Sequence, residues 1–137
     1  PKVPMLGDGS GLEAVSILSG EKIPTNVTVM INLNQLILAS KAGATYVSLF
    51  YNRAKDAGED ALKIIREYVS WLDRNSLSTK LIAGSIRHPK DVEDIAAAGA
   101  HIITIPYDIM LQLPYHKKTE ETIKEFDMAW KKFLATD

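Results

Sequence analysis

Short runs rich in β-branched residues recur along the chain, and segments with helical spacing separate them. The runs are Asn26-Val27-Thr28-Val29-Met30, residues 44–50, Lys80-Leu81-Ile82-Ala83-Gly84 and residues 101–105, with a shorter one at Lys2-Val3-Pro4. Largely apolar strands alternating with helices predict an α/β fold built on a parallel sheet. The clearest helix spans about Asp60 to Arg74. Its Leu62, Ile65, Val69 and Leu72 form one stripe, which Ala61, Ile64, Tyr68 and Trp71 widen. Shorter helices are expected at residues 11–18, 33–42 and 91–98, and a last one from about Thr119 to Leu134. Gly43 and Gly99 each end an alanine-containing helix and start a strand at once. Pro89 suits a helix start, and Thr119, followed by Glu120 and Glu121, suits an N-cap. Five strands fit either an open doubly wound sheet or part of a (βα)8 barrel, and the pattern alone does not separate them.

The 137 residues make one domain, 1–137, with no internal linker. Sixteen basic against seventeen acidic residues argue against a protein whose main task is to grip nucleic acid or an anionic membrane. The absence of cysteine excludes disulfides, thiol nucleophiles and thiolate metal sites. His88, His101 and His116 lack ligand spacing, so no metal is expected. No apolar run approaches the roughly 20 residues that span a bilayer.

In a parallel α/β sheet the chemistry gathers at the C-terminal strand ends. The polar residues on or after the strands are Lys2, Asn26, Thr28, Ser48, Asn52, Arg53, Ser85 and Arg87. Two arginines and a hydroxyl on neighbouring ends suit a phosphate or a carboxylate. Equally, Arg53 and Arg87 can be loop arginines paired with Asp56 or Asp91. Lys2, beside Val3 and Met5, is either an amine nucleophile or an exposed lysine. Thr28 is open to reading as a plain strand threonine. Residues 7–11 (GDGSG) lack the spacing of a phosphate loop and are expected to form a strand-to-helix turn. The aromatic and Met residues of the last helix read as a docking face. A flavodoxin-like regulatory domain would place an acidic pair at a strand end, and no Asp-Asp pair occurs there.

Lys2-Val3-Pro4-Met5 with residues 23–28 (IPTNVT) resembles the transaldolases, most closely the small transaldolase and fructose-6-phosphate aldolase group. The resemblance continues through residues 41–48 (KAGATYVS), Asn52-Arg53 with Gly58, residues 82–87 (IAGSIR), residues 98–100 (AGA), residues 103–106 (ITIP) and residues 126–130 (FDMAW). It implies the C-terminal part of a TIM (β/α)8 barrel, about five parallel βα units, and class I aldolase chemistry. Lys2 would form a Schiff base with a ketose carbonyl, and Thr28 would position water and the intermediate. Asn26 and Ser48 would contact substrate, and Arg53, Ser85 and Arg87 would hold phosphate. Phe50 stands where fructose-6-phosphate aldolases carry a tyrosine whose hydroxyl takes part in proton transfer. Phenylalanine has no such proton, which favours transfer of a dihydroxyacetone unit over simple cleavage.

The resemblance thus implies a cytoplasmic pentose-phosphate transaldolase with sugar-phosphate partners and no cofactor. The alternatives are a fructose-6-phosphate aldolase and a non-catalytic half-barrel that binds sugar phosphate. Family chains carry three βα units before the lysine strand, and these supply further acid/base and orienting residues. The chain is therefore expected to act as a homo-oligomer or with a complementing N-terminal half. Residues 5–11 are slightly longer than the family's turn after the lysine and lack its threonine.

Overall fold

The computed structural model describes residues 1–135. Five parallel strands are β1 (Lys2–Pro4), β2 (Asn26–Met30), β3 (Tyr46–Phe50), β4 (Lys80–Gly84) and β5 (Ile102–Ile103). They lie in the order β1-β2-β3-β4-β5. Every strand neighbours the next in sequence, with no reversal of direction. This is the winding of a barrel wall, not of a doubly wound sheet with a switch point. The fold is α/β, and its five parallel strands and alternating helices form part of a TIM barrel.

The helices are α1 (Ser10–Gly20), α2 (Leu33–Lys41), α3 (Tyr51–Asp56), α4 (Ala61–Arg74), α5 (Pro89–Ala97), α6 (Tyr107–Met110) and α7 (Lys117–Leu134). The strands show why the helices dock where they do. Side chains alternate across a strand. Val27, Val47, Leu49, Leu81 and Ala83 point to one face and are fully buried. With Val15, Leu36, Ile65 and Ile95 from the helices they make the core. Burying each such side chain contributes about 1.5–3 kcal/mol. On α4 the buried positions are Ala61, Ile64, Ile65, Tyr68 and Leu72, and the Tyr68 hydroxyl meets Ser40 Oγ at 2.5 Å. Burial pushes the Tyr68 phenol up to about 12, against the opposing hydrogen bond from Ser40.

Several expectations need correction. The helix expected from Thr119 begins at Lys117, capped by His116, whose Nδ1 accepts from the Lys118 N–H at 3.1 Å. Thr119 is therefore inside the helix and caps nothing. The strand expected at 44–50 is Tyr46–Phe50, and the one at 101–105 shrinks to Ile102–Ile103. The helices α3 and α6 are additions. No residue of α7 is buried, and Phe126, Trp130 and Phe133 are 58–71% exposed.

Candidate active site

The alternate residues of the same strands face away from the helices. These are Lys2 on β1, Asn26 and Thr28 on β2, Ser48 and Phe50 on β3, and Gly84 on β4. Register aligns them laterally: Lys2 opposes Asn26, Pro4 opposes Thr28, and Phe50 opposes Gly84. All the strand-borne candidates therefore share one face of the sheet.

Between β2 and β3 the ladder breaks. Val27 pairs with Val47 and Met30 with Leu49, so Thr28 and Val29 together oppose Ser48 alone. This two-against-one arrangement is a β-bulge. Val29 takes φ 65°, a left-handed conformation that costs a β-branched residue about 1–2 kcal/mol. The bulge has a clear consequence for the alternation. Val29 comes out 43% exposed, while Met30 turns into the core at 0%. Thr28 is left buried, and its Oγ1, like that of Thr25 just before the strand, has no hydrogen-bond partner among the described residues. Unpaired buried hydroxyls are rare in folded proteins, and one beside a bulge on the polar face suits a group that meets a ligand. Beyond the bulge, Asn32 caps α2 by accepting from the Gln35 N–H, and Gln35 Oε1 accepts in return from the Ile31 N–H at 2.8 Å.

Ser48 Oγ donates to Asn26 Oδ1 at 2.8 Å, tying β2 to β3 on this face. Lys2 is exposed on β1, which pairs with β2. The turn after it forms as expected. Asp8 Oδ1 accepts from both the N–H and the hydroxyl of Ser10, which holds the Asp8 carboxyl below the usual carboxylate range. A Cβ at Gly11 would lie 2.4 Å from the Pro4 carbonyl oxygen, so only glycine lets α1 seat against the end of the Lys2 strand.

At the strand ends the arginines diverge in their partners. Arg87 meets Asp56 through both guanidinium nitrogens, Nη1 at 2.9 Å and Nη2 at 2.5 Å. Of the two alternatives for its pairing, Asp56 is the partner. The Arg87 hydrogen bonds, aided by the charges of Lys55 and Arg53, hold the Asp56 carboxyl below its usual range. Arg53 lies over the Phe50 ring, 5.1 Å from its centroid. One carboxylate thus lies within the electrostatic reach of both arginines. Three N–H donors of Arg87 are not used by Asp56.

Asn52 and Asp91 are the polar residues whose importance sequence reasoning missed. Asn52 stood among the strand-end polar residues without a role, and Asp91 appeared only as a possible arginine partner. Both are buried, and Asn52 Nδ2 donates to Asp91 Oδ2 at 2.7 Å. The clefts of the outer helical layer, such as the one lined by Ile37, Arg66 and Trp71, contain none of the candidates. Among the described residues no group of three or more His, Asp or Glu is placed to hold a metal ion. No helix there is long and apolar enough to cross a membrane.

The profile of the transaldolase/fructose-6-phosphate aldolase family matches residues 2–136, and the chain belongs to that family. A probable transaldolase of Oceanobacillus iheyensis is 48% identical over 129 residues, covering 94% of this chain and 60% of the relative. Probable transaldolases of Thermoanaerobacter sp. and Clostridium acetobutylicum are 43% and 45% identical, with 96% and 95% of this chain and 60% of each relative covered. The chain therefore spans about 60% of the length of these relatives. Among solved structures, a lactate oxidase of Pediococcus acidilactici and a mandelate oxidase share the fold. Their TM-scores are 0.52 and 0.53 at 18% identity, over 68% and 69% of this chain and 26% and 28% of theirs.

Proposed function

We propose that this chain carries the Schiff-base half of a transaldolase that moves a dihydroxyacetone unit between sugar phosphates, as in the pentose phosphate pathway. The observation that carries the proposal is the shared face: Lys2, Asn26, Thr28, Ser48 and Phe50 on one side of the sheet, with Arg53, Ser85 and Arg87 at its C-terminal edge. Lys2 Nζ attacks the ketose carbonyl, and loss of water gives an iminium. The iminium accepts the electron pair as the C3–C4 bond breaks, the C4 hydroxyl gives up its proton and the first aldehyde leaves. The enamine carbon then attacks the acceptor aldehyde, whose oxygen takes up a proton, and water hydrolyses the new iminium to release the product ketose and free Lys2. Thr28 and Asn26 hold the departing water and the intermediate, and Ser48 keeps Asn26 turned to its place. Arg53, Ser85 and Arg87 take the phosphate through charge-assisted hydrogen bonds.

Phe50 favours transfer over cleavage, because its ring offers no proton to the enamine and instead supports Arg53. Lys2 is exposed, and a Schiff-base amine works best when burial favours its neutral form. We therefore propose that full turnover needs further protein around β1, from a complementing N-terminal part or from a second copy. The exposed apolar side of α7 also suits an oligomer. Charged sugar phosphates do not cross bilayers unaided, which supports a cytoplasmic activity.

The test is a coupled assay with fructose 6-phosphate and erythrose 4-phosphate on the whole protein bearing this sequence. Turnover is expected, and Lys2→Arg is expected to abolish it with the fold retained. Unchanged turnover in Lys2→Arg would remove the mechanism.

A further inference from the structure

Granting Arg53, Ser85 and Arg87 the phosphate role proposed above, we infer that Asn52 and Asp91 form a buried positioning clamp that holds residues 85–88 in the shape that receives the anion. Ser85 has φ 63°, a left-handed conformation that non-glycine residues seldom hold without support. Support comes from two side chains of other elements. Asn52 Nδ2, in the first turn of α3, donates one hydrogen to the Ser85 carbonyl oxygen at 2.8 Å and the other to Asp91 Oδ2. Asp91 Oδ2, in the first turn of α5, also accepts from the backbone N–H of Arg87 at 2.9 Å and of His88 at 3.0 Å.

Three backbone groups of a four-residue loop are thus fixed by two side chains that are only 4% and 5% exposed. Burial disfavours the Asp91 charge, but the hydrogen bonds from Arg87, Asn52 and His88 outweigh it. The carboxyl stays below its usual range and ionised at neutral pH. An amide is the side chain this position requires. Aspartate at 52 has no N–H to give, and leucine, of similar size, has none either. Asn52 also neighbours Arg53, so the clamp locks the arginine of β3's end to the serine and arginine of β4's end. Neither clamp residue touches the anion in this arrangement. Their effect passes through the backbone of residues 85–88.

The experiment titrates the full chain with inorganic phosphate and follows the amide resonances of Ser85 and Ile86. Asn52→Leu is expected to raise the phosphate Kd at least tenfold, and Asp91→Asn about threefold. In a Ser85→Gly background, where the left-handed conformation is intrinsically easy, the Asn52→Leu effect is expected to shrink to threefold or less. A merely structural role would not produce that dependence on residue 85. If Asn52→Leu does not fold, Asp91→Asn and its Ser85→Gly double variant decide. A Kd within twofold of the wild-type value in a folded clamp variant overturns the clamp. Should Arg87→Ala lose phosphate in the same series, the anion site stands without it. Failure of the wild-type chain to bind phosphate at these amides overturns both.

Discussion

The helix-covered face of the sheet and its opposite face are built from alternate residues of the same strands. On the covered face Val27, Val47, Leu49, Leu81 and Ala83 are fully buried and wholly apolar. On the other, Lys2, Asn26, Thr28, Ser48 and Phe50 are mostly polar, with Thr28 and Ser48 buried, Asn26 and Phe50 half-buried and Lys2 exposed. The first face holds the fold together through area removed from water. The second contributes few such contacts and contains the bulge at Thr28 and Val29 and the orphan Thr28 hydroxyl, with left-handed Ser85 just past β4; another orphan hydroxyl, Thr25, and left-handed Lys22 and Ser76 lie ahead of β2 and β4. Strain of this kind persists only where surrounding structure enforces it, and it gathers where a site needs a particular geometry.

Adjacent residues on opposite faces give the sharpest contrast. Leu49→Ala should lower stability by about 2–5 kcal/mol in urea denaturation, because it opens a cavity under the helices. A loss below 1 kcal/mol would deny the covered face its role. Its neighbour Ser48→Ala removes one hydrogen bond and should cost only about 0.5–1.5 kcal/mol. The same change should slow adduct formation with a ketose severalfold, since Asn26 loses its tie. A Ser48→Ala protein with wild-type adduct formation would separate that pair from the site.

Much of this division was legible beforehand, and the reasons are physical. The apolar runs and the α4 stripe are local patterns, so strands and long helices follow from them. Glycines 43 and 99, with φ 94° and 96°, end their helices as their neighbours suggest. The misses have other causes. α3 has six residues and starts directly from a strand, too short for periodicity to show. Thr119 has the right neighbours for a cap, but His116 claims the helix three residues earlier, despite two lysines in its first turn. Val29 carries no sign of a bulge, because β-branched residues ordinarily favour regular strands. The Asn52–Asp91 contact joins residues 39 apart, which no local pattern reports.

Two smaller effects refine the comparison. Val29→Gly relieves the left-handed cost but loosens the unfolded chain, so stability should rise by about 0.5 kcal/mol. A clear loss would mean that the Val29 side chain, not the backbone, maintains the bulge. At the sheet's other end, His101 Nδ1 accepts from the Leu81 N–H at 3.1 Å. Burial, then the charge of Lys80, holds this imidazole below its usual value near 6.5. The unfolded chain therefore takes up the proton first, so stability is complete above about pH 6.5 and declines as pH falls below it. His101→Asn should flatten that decline between pH 7 and 5.5 in thermal melts, and an unaltered slope would assign it elsewhere.

The most direct measurement of whether the polar face performs covalent chemistry is reductive trapping. The chain is incubated with fructose 6-phosphate and borohydride, digested, and mapped by tandem mass spectrometry. The expected result is a single reduced ketose adduct on Lys2, lost in Lys2→Arg and weakened in Arg87→Ala. An adduct spread over exposed lysines such as Lys63 and Lys117, or none at Lys2 in the whole protein, would contradict the assignment of this face.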